Sequence, residues 1–423
     1  MTPPHVPVQP SSQSRLRASL VATLAVVVGA LGLLGAAPAA QAGAVWPTDD
    51  PFYTPPADLA ALPNGSVIRS RKTRIKTGPA IQQPFKTYQV LYRSTDRLEK
   101  PIANVATIIM PLTSPKTGRK LISYQTAYDG LSPTCMPSYS LASGKVALQA
   151  AETLIIDGAL ARGWTVVTAD YEGPDNAWLT AKTTGRGVLD GIRAAENFEP
   201  VGLDGAKTQV GMLGYSGGGQ ATAWASEMQP AYAPELNIVG ATQGGVAANM
   251  GEVLKYMDGQ LFAGIALAGL AGVSTGYPEL NFDKYLNNKG RRTFKYLRKK
   301  QSCITDFALA YPFTKIRSLT TVPDLLNVPE FKAVADELSL GKVNPKHPMF
   351  MYHTVFDQMG GYKAMVKLVR KYCAEGTQVQ FVTGYNEEHA MQAFSMPFKA
   401  QAWMADRFAG KPVATNCDKY PAL

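Results

Sequence analysis

The pentapeptide Gly-Tyr-Ser-Gly-Gly at 214–218 is the segment whose residue types and spacing have the clearest chemical meaning. It follows an apolar run that ends at Leu213 and precedes a helix-like run that begins at Gln220. A serine on such a tight strand-to-helix turn has strained backbone angles, and the residues two positions away must be small because strand and helix nearly touch. The turn would raise the Ser216 hydroxyl above the sheet and aim the Gly217 N–H at a developing oxyanion. The pentapeptide therefore predicts a nucleophile for acyl transfer.

A second pentapeptide, centred on Ser274 at 272–276, fits the same Gly-x-Ser-x-Gly pattern. An Ala/Gly-rich helical run precedes it, and the Tyr277-Pro278 pair that follows opposes a continuing helix. Because this segment lacks the strand–turn–helix context, we do not predict a nucleophile there.

The base for Ser216 must come from three histidines, since His5 lies in an N-terminal segment interpreted below as a leader. In α/β-hydrolases the order along the chain is serine, acid, histidine, and the histidine lies on the loop after the last strand. His347 precedes a predicted strand and His353 ends that strand, whereas His389 follows the last predicted strand and precedes an amphipathic helix. We therefore predict His389 as the general base.

The acid is predicted at Asp357, which follows the strand at 349–353 and lies 32 residues before His389. Its carboxylate would fix the tautomer of the imidazole and stabilise the imidazolium that forms when the serine loses its proton. Glu387 and Glu388 are alternatives, but they are too close to His389 along the chain to orient its ring from behind.

Short apolar runs alternate with helix-length segments from about residue 88 onwards. This alternation predicts an α/β fold in which a mostly parallel sheet is covered by helices on both faces. The small-residue loop at 126–130, after an early strand, is the expected place for a second oxyanion donor. The predicted strands cover 88–92, 104–110, 121–125, 164–169, 209–213, 237–241, 349–352 and 379–382.

The segment 249–343 interrupts this rhythm, because it contains helical patterns and no clear strand. We predict a helical insertion between two strands of the sheet. Its apolar run, Leu261–Val273, fits either a buried helix or the apolar face of a cap over a hydrophobic pocket. Its basic segment at 289–300 fits a solvated helix face, or a surface attracted to an anionic lipid interface.

Residues 1–42 have the features of a signal peptide. Arg15 and Arg17 precede an apolar stretch, Leu20–Ala37, which leads to an Ala-x-Ala sequence at 40–42. We expect cleavage before Gly43 or two residues later; a retained membrane anchor is the alternative. Since no later segment reaches eighteen apolar residues, we predict a secreted protein without a stable transmembrane segment.

Composition narrows the function class further. The 423 residues are 46% hydrophobic, which is enough for a large core, and the net charge of +10 is too small to predict nucleic-acid binding. An even number of cysteines fits two structural disulfides in an oxidising compartment, with three pairings open. No cofactor is expected, because a serine–histidine–acid triad needs neither a metal nor an organic group. The histidines and cysteines also show no zinc-like spacing. The cysteines are Cys135, Cys303, Cys373 and Cys417.

Several segments in sequence order together resemble the secretory lipase family of the lipase A type, known from yeasts and actinobacteria. The resemblance spans about residues 45–420 and implies an α/β-hydrolase with a helical lid inserted after the nucleophile. The core would comprise 43–248 and 344–423, and the lid 249–343. A departure occurs at 243–248, where Gln-Gly-Gly-Val-Ala-Ala replaces a Gly-Gly-Thr-Pro-like stretch at the lid entrance. The matching segments are 124–129, 170–174, 189–193, 214–218 and 384–389.

The resemblance also implies roles for individual residues. Ser216, Asp357 and His389 would form the triad, and Asp129 and Gly217 would be the oxyanion donors. The implied disulfides are Cys135–Cys303, which would tie the lid to the oxyanion loop, and Cys373–Cys417.

The sequence thus predicts a secreted serine ester hydrolase that acts on acylglycerols through an acyl-enzyme. Its partner would be an acyl-ester lipid, including one presented at a lipid–water interface. Alternatives with the same mechanism are a carboxylesterase for small soluble esters, a deacetylase and a polyester hydrolase. A serine peptidase is disfavoured because no propeller-sized domain precedes the serine. A non-catalytic surface-binding protein is disfavoured because all three triad residues are present.

Overall fold

A nine-stranded sheet is the centre of the computed structural model, which describes residues 44–299 and 303–421. The predicted signal peptide at 1–42 lies outside the described residues. The spatial order of the strands is β1-β4-β5-β7-β6-β8-β9-β10-β11, and β2 and β3 form a separate hairpin. The strands are β1 Val67–Thr73, β2 Lys76–Thr77, β3 Ile81–Gln82, β4 Lys86–Thr95, β5 Pro101–Met110, β6 Leu121–Gln125, β7 Thr165–Ala169, β8 Val210–Tyr215, β9 Ile238–Gly244, β10 Met349–Thr354 and β11 Val379–Gly384.

Six neighbouring strands, from β7 to β11 in the sheet order, run parallel to one another. The first three strands in the sheet order, β1, β4 and β5, run antiparallel to their neighbours. A short turn joins β4 to β5, and β5 also runs antiparallel to β7, with Ala106 opposite Ala169. Carboxyl ends of parallel strands meet at one edge of a sheet. The segments after β6, β8, β10 and β11 therefore converge on that edge, and they carry the predicted site residues.

Twelve α-helices are found in the described residues, and those of the core pack on both faces of the sheet. Neighbouring residues along a strand point to opposite faces, so Leu121 belongs to one apolar cluster and Ile122 to another. The helices are α1 Pro137–Ser143, α2 Ala147–Leu160, α3 Ala181–Glu196, α4 Gly217–Tyr232, α5 Met250–Met257, α6 Ala263–Gly276, α7 Asn288–Lys299, α8 Ile304–Phe307, α9 Pro329–Leu338, α10 Tyr362–Ala374, α11 His389–Ser395 and α12 Pro397–Phe408.

Residues 249–343, called the cap segment below, contain α5 to α9 and no strand among their described residues. A third apolar cluster lies here, and Trp178 and Trp224 from outside the segment join it. The predicted apolar run forms α6, most of which is buried. The basic run forms α7, an amphipathic helix whose Phe294 and Leu297 are buried. Its exposed basic residues include Lys289, Arg291, Arg292, Lys295 and Arg298. In the described part of the chain, no helix is long and apolar enough to cross a membrane.

Two disulfides join distant parts of the chain. Cys135–Cys303 connects the region after β6 to the cap segment, and Gly130 pairs with Cys303 through an isolated β-bridge. Cys373–Cys417 connects α10 to the C-terminal region. These are the two pairings that the family resemblance implies, and only the first involves the cap segment.

Replacing both Cys135 and Cys303 with serine is expected to loosen the cap segment. The bridges span 168 and 44 residues, so loss of either removes a chain-entropy contribution of about 5 or about 4 kcal/mol respectively. The matched control is the double serine variant of Cys373 and Cys417. Both variants should melt at lower temperature, but limited proteolysis should cut faster within 249–343 only in the first. Equal cleavage rates there in the two variants would contradict this role.

Candidate active site

Ser216 lies at the junction of β8 and α4 with φ 54° and ψ −124°. A Cβ on Gly214 would lie 2.1 Å from the carbonyl oxygen of Gly218, and a Cβ on Gly218 would lie 1.9 Å from that of Gln125. The small residues that the pattern places around Ser216 are therefore required by close backbone contact. The turn leaves the serine side chain half-buried at the carboxyl edge of the parallel strands.

A continuous chain of hydrogen-bonding distances joins the three predicted triad residues. His389 Nε2 lies 2.8 Å from Ser216 Oγ, and His389 Nδ1 lies 2.8 Å from Asp357 Oδ2. The other carboxylate oxygen, Oδ1, accepts backbone N–H groups from Met359 at 2.8 Å and Gly360 at 2.7 Å. Asp357 is thus fixed on one side by its own turn, and its second oxygen faces the imidazole.

The pKa values of Asp357 and His389 suit proton transfer along this series of hydrogen bonds. Burial raises the pKa of Asp357, but the contrary effects of His389, His353 and the backbone donors prevail and hold it at about 2. Burial lowers the pKa of His389, yet the Asp357 carboxylate and its hydrogen bond outweigh this, and the net pKa is raised above the ordinary value. Asp357 is therefore ionised, and its carboxylate is placed where it could stabilise a positive charge on the His389 ring.

The two glutamates before His389 have other partners. Glu388 caps α11 by accepting the N–H groups of Ala390 and Met391, and it also accepts the amide of Gln358 at 2.8 Å. Glu387 accepts hydrogen bonds from side chains further along the same helix. The described hydrogen bonds of both carboxylates are thus made to groups other than the His389 ring.

His353 is a residue of the site that sequence reasoning missed. It is fully buried on β10, and its Nε2 lies 3.3 Å from Asp357 Oδ2, the oxygen that also faces His389. Burial lowers the pKa of His353, and the Asp357 carboxylate acts in the opposite direction without outweighing it. The i, i+4 spacing of His353 and Asp357 was the available signal, but only the turn after β10 brings the two side chains together.

Asp129 ends the loop after β6 and lies against the residue that follows the serine. A Cβ on Gly217 would lie only 1.7 Å from Asp129 Oδ1, so the carboxyl group occupies the space directly over Gly217. Asp129 is 3% exposed, and its Oδ1 has no hydrogen-bond partner among the described residues. Burial raises its pKa to about 7, against the opposing effects of Trp178 and His389. A substantial fraction of Asp129 is therefore protonated at neutral pH and can donate a hydrogen bond.

A mostly apolar cavity opens beside Ser216 and His389, with an empty volume of about 630 Å³ including its open mouth. A second apolar cavity, whose empty volume of about 330 Å³ likewise includes open space, lies beside it and reaches α9. The two share Leu179, Met250, Leu254 and Gly269 in their linings. Nearly all residues that line the second cavity belong to the cap segment, which also supplies eight of the eighteen residues that line the first. The cap segment therefore contributes much of the apolar surface beside the site.

The two rejected motif residues lie elsewhere. Ser274 is in the last turn of α6, where its hydroxyl donates to the Ala271 carbonyl and accepts from Arg298. His347 lies before β10, at the opposite end of that strand from Asp357, and is buried. The geometry thus brings Ser216, Gly217, Asp129, Asp357 and His389 together, and leaves Ser274 and His347 out.

Comparisons with known proteins agree on one family. The family model described as secretory lipase matches residues 140–416. The chain is 36% identical over 379 residues to a probable inactive lipase of Mycobacterium tuberculosis, covering 88% of this chain and 84% of that protein. It is 32% identical over 391 residues to a secreted triacylglycerol lipase of Malassezia furfur, covering 89% and 82%. The crystal structure of Candida antarctica lipase A superposes with a TM-score of 0.83 at 32% identity, covering 90% and 91%.

Proposed function

Since the chain belongs to the secretory lipase family and has its α/β-hydrolase fold, we propose that it is a secreted lipase that hydrolyses acylglycerols through Ser216, His389 and Asp357. The family match, together with relatives named as lipases and triacylglycerol lipases, supports a carboxylic ester hydrolase. The observation that carries the finer proposal is the hydrogen-bonded chain from Ser216 to Asp357, which opens on an apolar cavity. Secretion is supported by the predicted signal peptide at 1–42 and by the two disulfides.

In the acylation half-reaction, Ser216 Oγ attacks the acyl carbonyl carbon while His389 Nε2 accepts the hydroxyl proton. The carbonyl electron pair moves to its oxygen, which becomes an oxyanion. When this intermediate collapses, the ester C–O bond breaks, and the imidazolium gives its proton to the leaving alcohol. The acyl group remains as an ester on Ser216. Asp357 stays ionised throughout and stabilises the imidazolium.

In the deacylation half-reaction, water takes the place of the alcohol. His389 accepts a proton from the attacking water, and the oxyanion forms again. Its collapse returns the proton to Ser216 and releases the fatty acid. Two donors would stabilise the oxyanion in both halves: the backbone N–H of Gly217 at the start of α4, and the protonated Asp129 carboxyl over it. Loss of one such donor costs about 3 to 4 kcal/mol of transition-state stabilisation.

The cavity lining favours an acyl chain over an acetyl group. Each methylene that leaves water for an apolar lining contributes about 0.8 kcal/mol, and the two neighbouring cavities extend this lining into the cap segment. We therefore assign residues 249–343 as a lid whose inner face holds the acyl chain. This lining disfavours the deacetylase alternative.

The proposal is tested by the rate of tributyrin hydrolysis as its concentration crosses the solubility limit, with Ser216→Ala as the blank. A lipase should show a rate that climbs once droplets appear, because the lid then meets a lipid surface. A rate that saturates below the limit would identify an esterase for soluble esters on the same frame. No hydrolysis above the blank would contradict the proposal.

A further inference from the structure

Glu152 is a buried acid on α2, a helix that supplies no residue to the hydrogen-bonded chain at Ser216. Its Oε1 accepts the backbone N–H of Ala127 at 3.0 Å and the hydroxyl of Tyr124 at 2.9 Å. From these contacts we propose that Glu152 is a positioning residue for ester hydrolysis, which holds residues 126–130 (the oxyanion loop) so that the Asp129 carboxyl stays over Gly217. This inference rests on the proposed function and deepens it.

The oxyanion loop needs an external support. Its aspartate, Asp129, has φ 29°, a backbone conformation that residues with a side chain seldom adopt. The loop contains no helix or strand; within it the Tyr128 N–H contacts the Thr126 carbonyl at 2.9 Å, and its last residue, Gly130, pairs with Cys303. A relaxed loop would carry Asp129 Oδ1 away from Gly217. The Ala127 N–H, two residues before Asp129, is the point where Glu152 opposes that movement.

Other contacts fix the loop from its remaining sides. The Tyr171 hydroxyl donates to the Thr126 carbonyl at 2.5 Å, and the Tyr128 hydroxyl accepts the backbone N–H of Glu172 at 2.7 Å. The Tyr128 and Tyr171 rings also pack together, with centroids 4.7 Å apart. None of these contacts supplies an acceptor for the Ala127 N–H, and a buried backbone donor without one is costly. Glu152 supplies that acceptor.

Glu152 is buried, and both its burial and the nearby Asp129 carboxyl disfavour its charged form. Its neighbours along α2, Ile155 and Ile156, belong to an apolar cluster on that face of the sheet. Burial raises the pKa of Glu152 to about 8, even though the Ala127 N–H and the Tyr124 hydroxyl act in the opposite direction. An apolar residue would avoid this cost but would leave the Ala127 N–H without its acceptor. The acid is therefore explained by what it accepts from the loop.

Four variants of the full chain test the assignment with a soluble ester, p-nitrophenyl butyrate. Glu152→Ala removes the acceptor and should lower kcat about ten- to a hundredfold while KM changes less than about twofold, because the transition state loses a well-placed donor. Glu152→Gln keeps an acceptor oxygen and should recover most of kcat. Glu152→Asp keeps the acid but shortens its reach, so it should fall between them. Ile156→Ala, buried on the same helix, should lower the melting temperature without lowering kcat.

A second readout separates positioning from general damage to the fold. The affinity of an alkyl boronic acid, which forms an adduct with the serine and mimics the tetrahedral intermediate, should fall in parallel with kcat across the series. Wild-type kcat in Glu152→Ala, a Gln variant as poor as the Ala variant, or an equal loss in Ile156→Ala would each overturn the inference. If Glu152→Ala does not fold, the Asp and Gln variants decide. An inactive wild type would instead refute the proposed function itself.

Discussion

Replacing His389 with alanine should lower kcat for ester hydrolysis by about a million-fold, the loss expected when one member of a cooperating triad is removed. Ser216 Oγ then has no base within reach, since His389 Nε2 is the ring nitrogen 2.8 Å away. The wild-type rate should rise with pH as His389 loses its proton. The midpoint of this rise should lie above the ordinary pKa of histidine, because the Asp357 carboxylate helps to raise the pKa of His389. The measurement is kcat/KM against pH for both proteins.

His347→Ala is the matched control for this prediction. His347 is also buried, but it lies before β10, and burial lowers its pKa to about 4. It is neutral at working pH and remote from the serine, so its replacement should reduce stability and leave the acid limb in place. Near-normal activity in His389→Ala, or an equal loss in His347→Ala, would refute His389 as the base.

Asp129→Ala should lower kcat about a hundred- to a thousandfold with a small change in KM, because an oxyanion donor acts mainly in the transition state. Asp129→Asn should retain much more activity. Its amide keeps an N–H donor in place of the protonated carboxyl, and asparagine tolerates the positive φ at this position. An alanine variant with wild-type kcat would show that only the backbone of residue 129 contributes.

Asp129→Asn should also differ from the wild type in how its activity depends on pH in the alkaline range. Burial raises the pKa of Asp129 to about 7, so the carboxyl is a donor below that pH and becomes an acceptor above it. Wild-type activity should therefore fall as pH rises through this pKa. The asparagine variant cannot lose its proton, and its alkaline limb should be absent. An unchanged alkaline limb in Asp129→Asn would assign the limb to another group.

The residues of the site that could be predicted from sequence are those with a local signature. Ser216 has a strand before it, a helix after it and glycines where the backbones touch, all within about a dozen residues. His389 follows from chain order, because few histidines are available and only one comes after the last predicted strand. The first signal arises from packing between residues close in sequence, and the second from the order of residues along the chain. Both can be inferred from the sequence alone.

Other features depend on contacts between distant segments. Glu152 meets Ala127 only because α2 packs beside β6, and no spacing in the sequence shows this contact. β1 was not predicted either, since this edge strand is largely polar, with exposed Ser70 and Lys72 in place of an apolar alternation. The antiparallel course of β5 against β7 likewise reflects sheet order rather than any local pattern. Tertiary contacts decide these features.

The most direct test of the central claim is labelling of the folded protein with a fluorophosphonate, followed by peptide mapping. The Ser216 oxygen should displace fluoride at phosphorus and give a single adduct on the peptide that contains residues 214–218. Ser216→Ala should take up no label, although it retains Ser274 in the second Gly-x-Ser-x-Gly pentapeptide. An ester-hydrolysing protein that remains unlabelled, or that carries its adduct on Ser274, would contradict the assignment of Ser216 as the nucleophile.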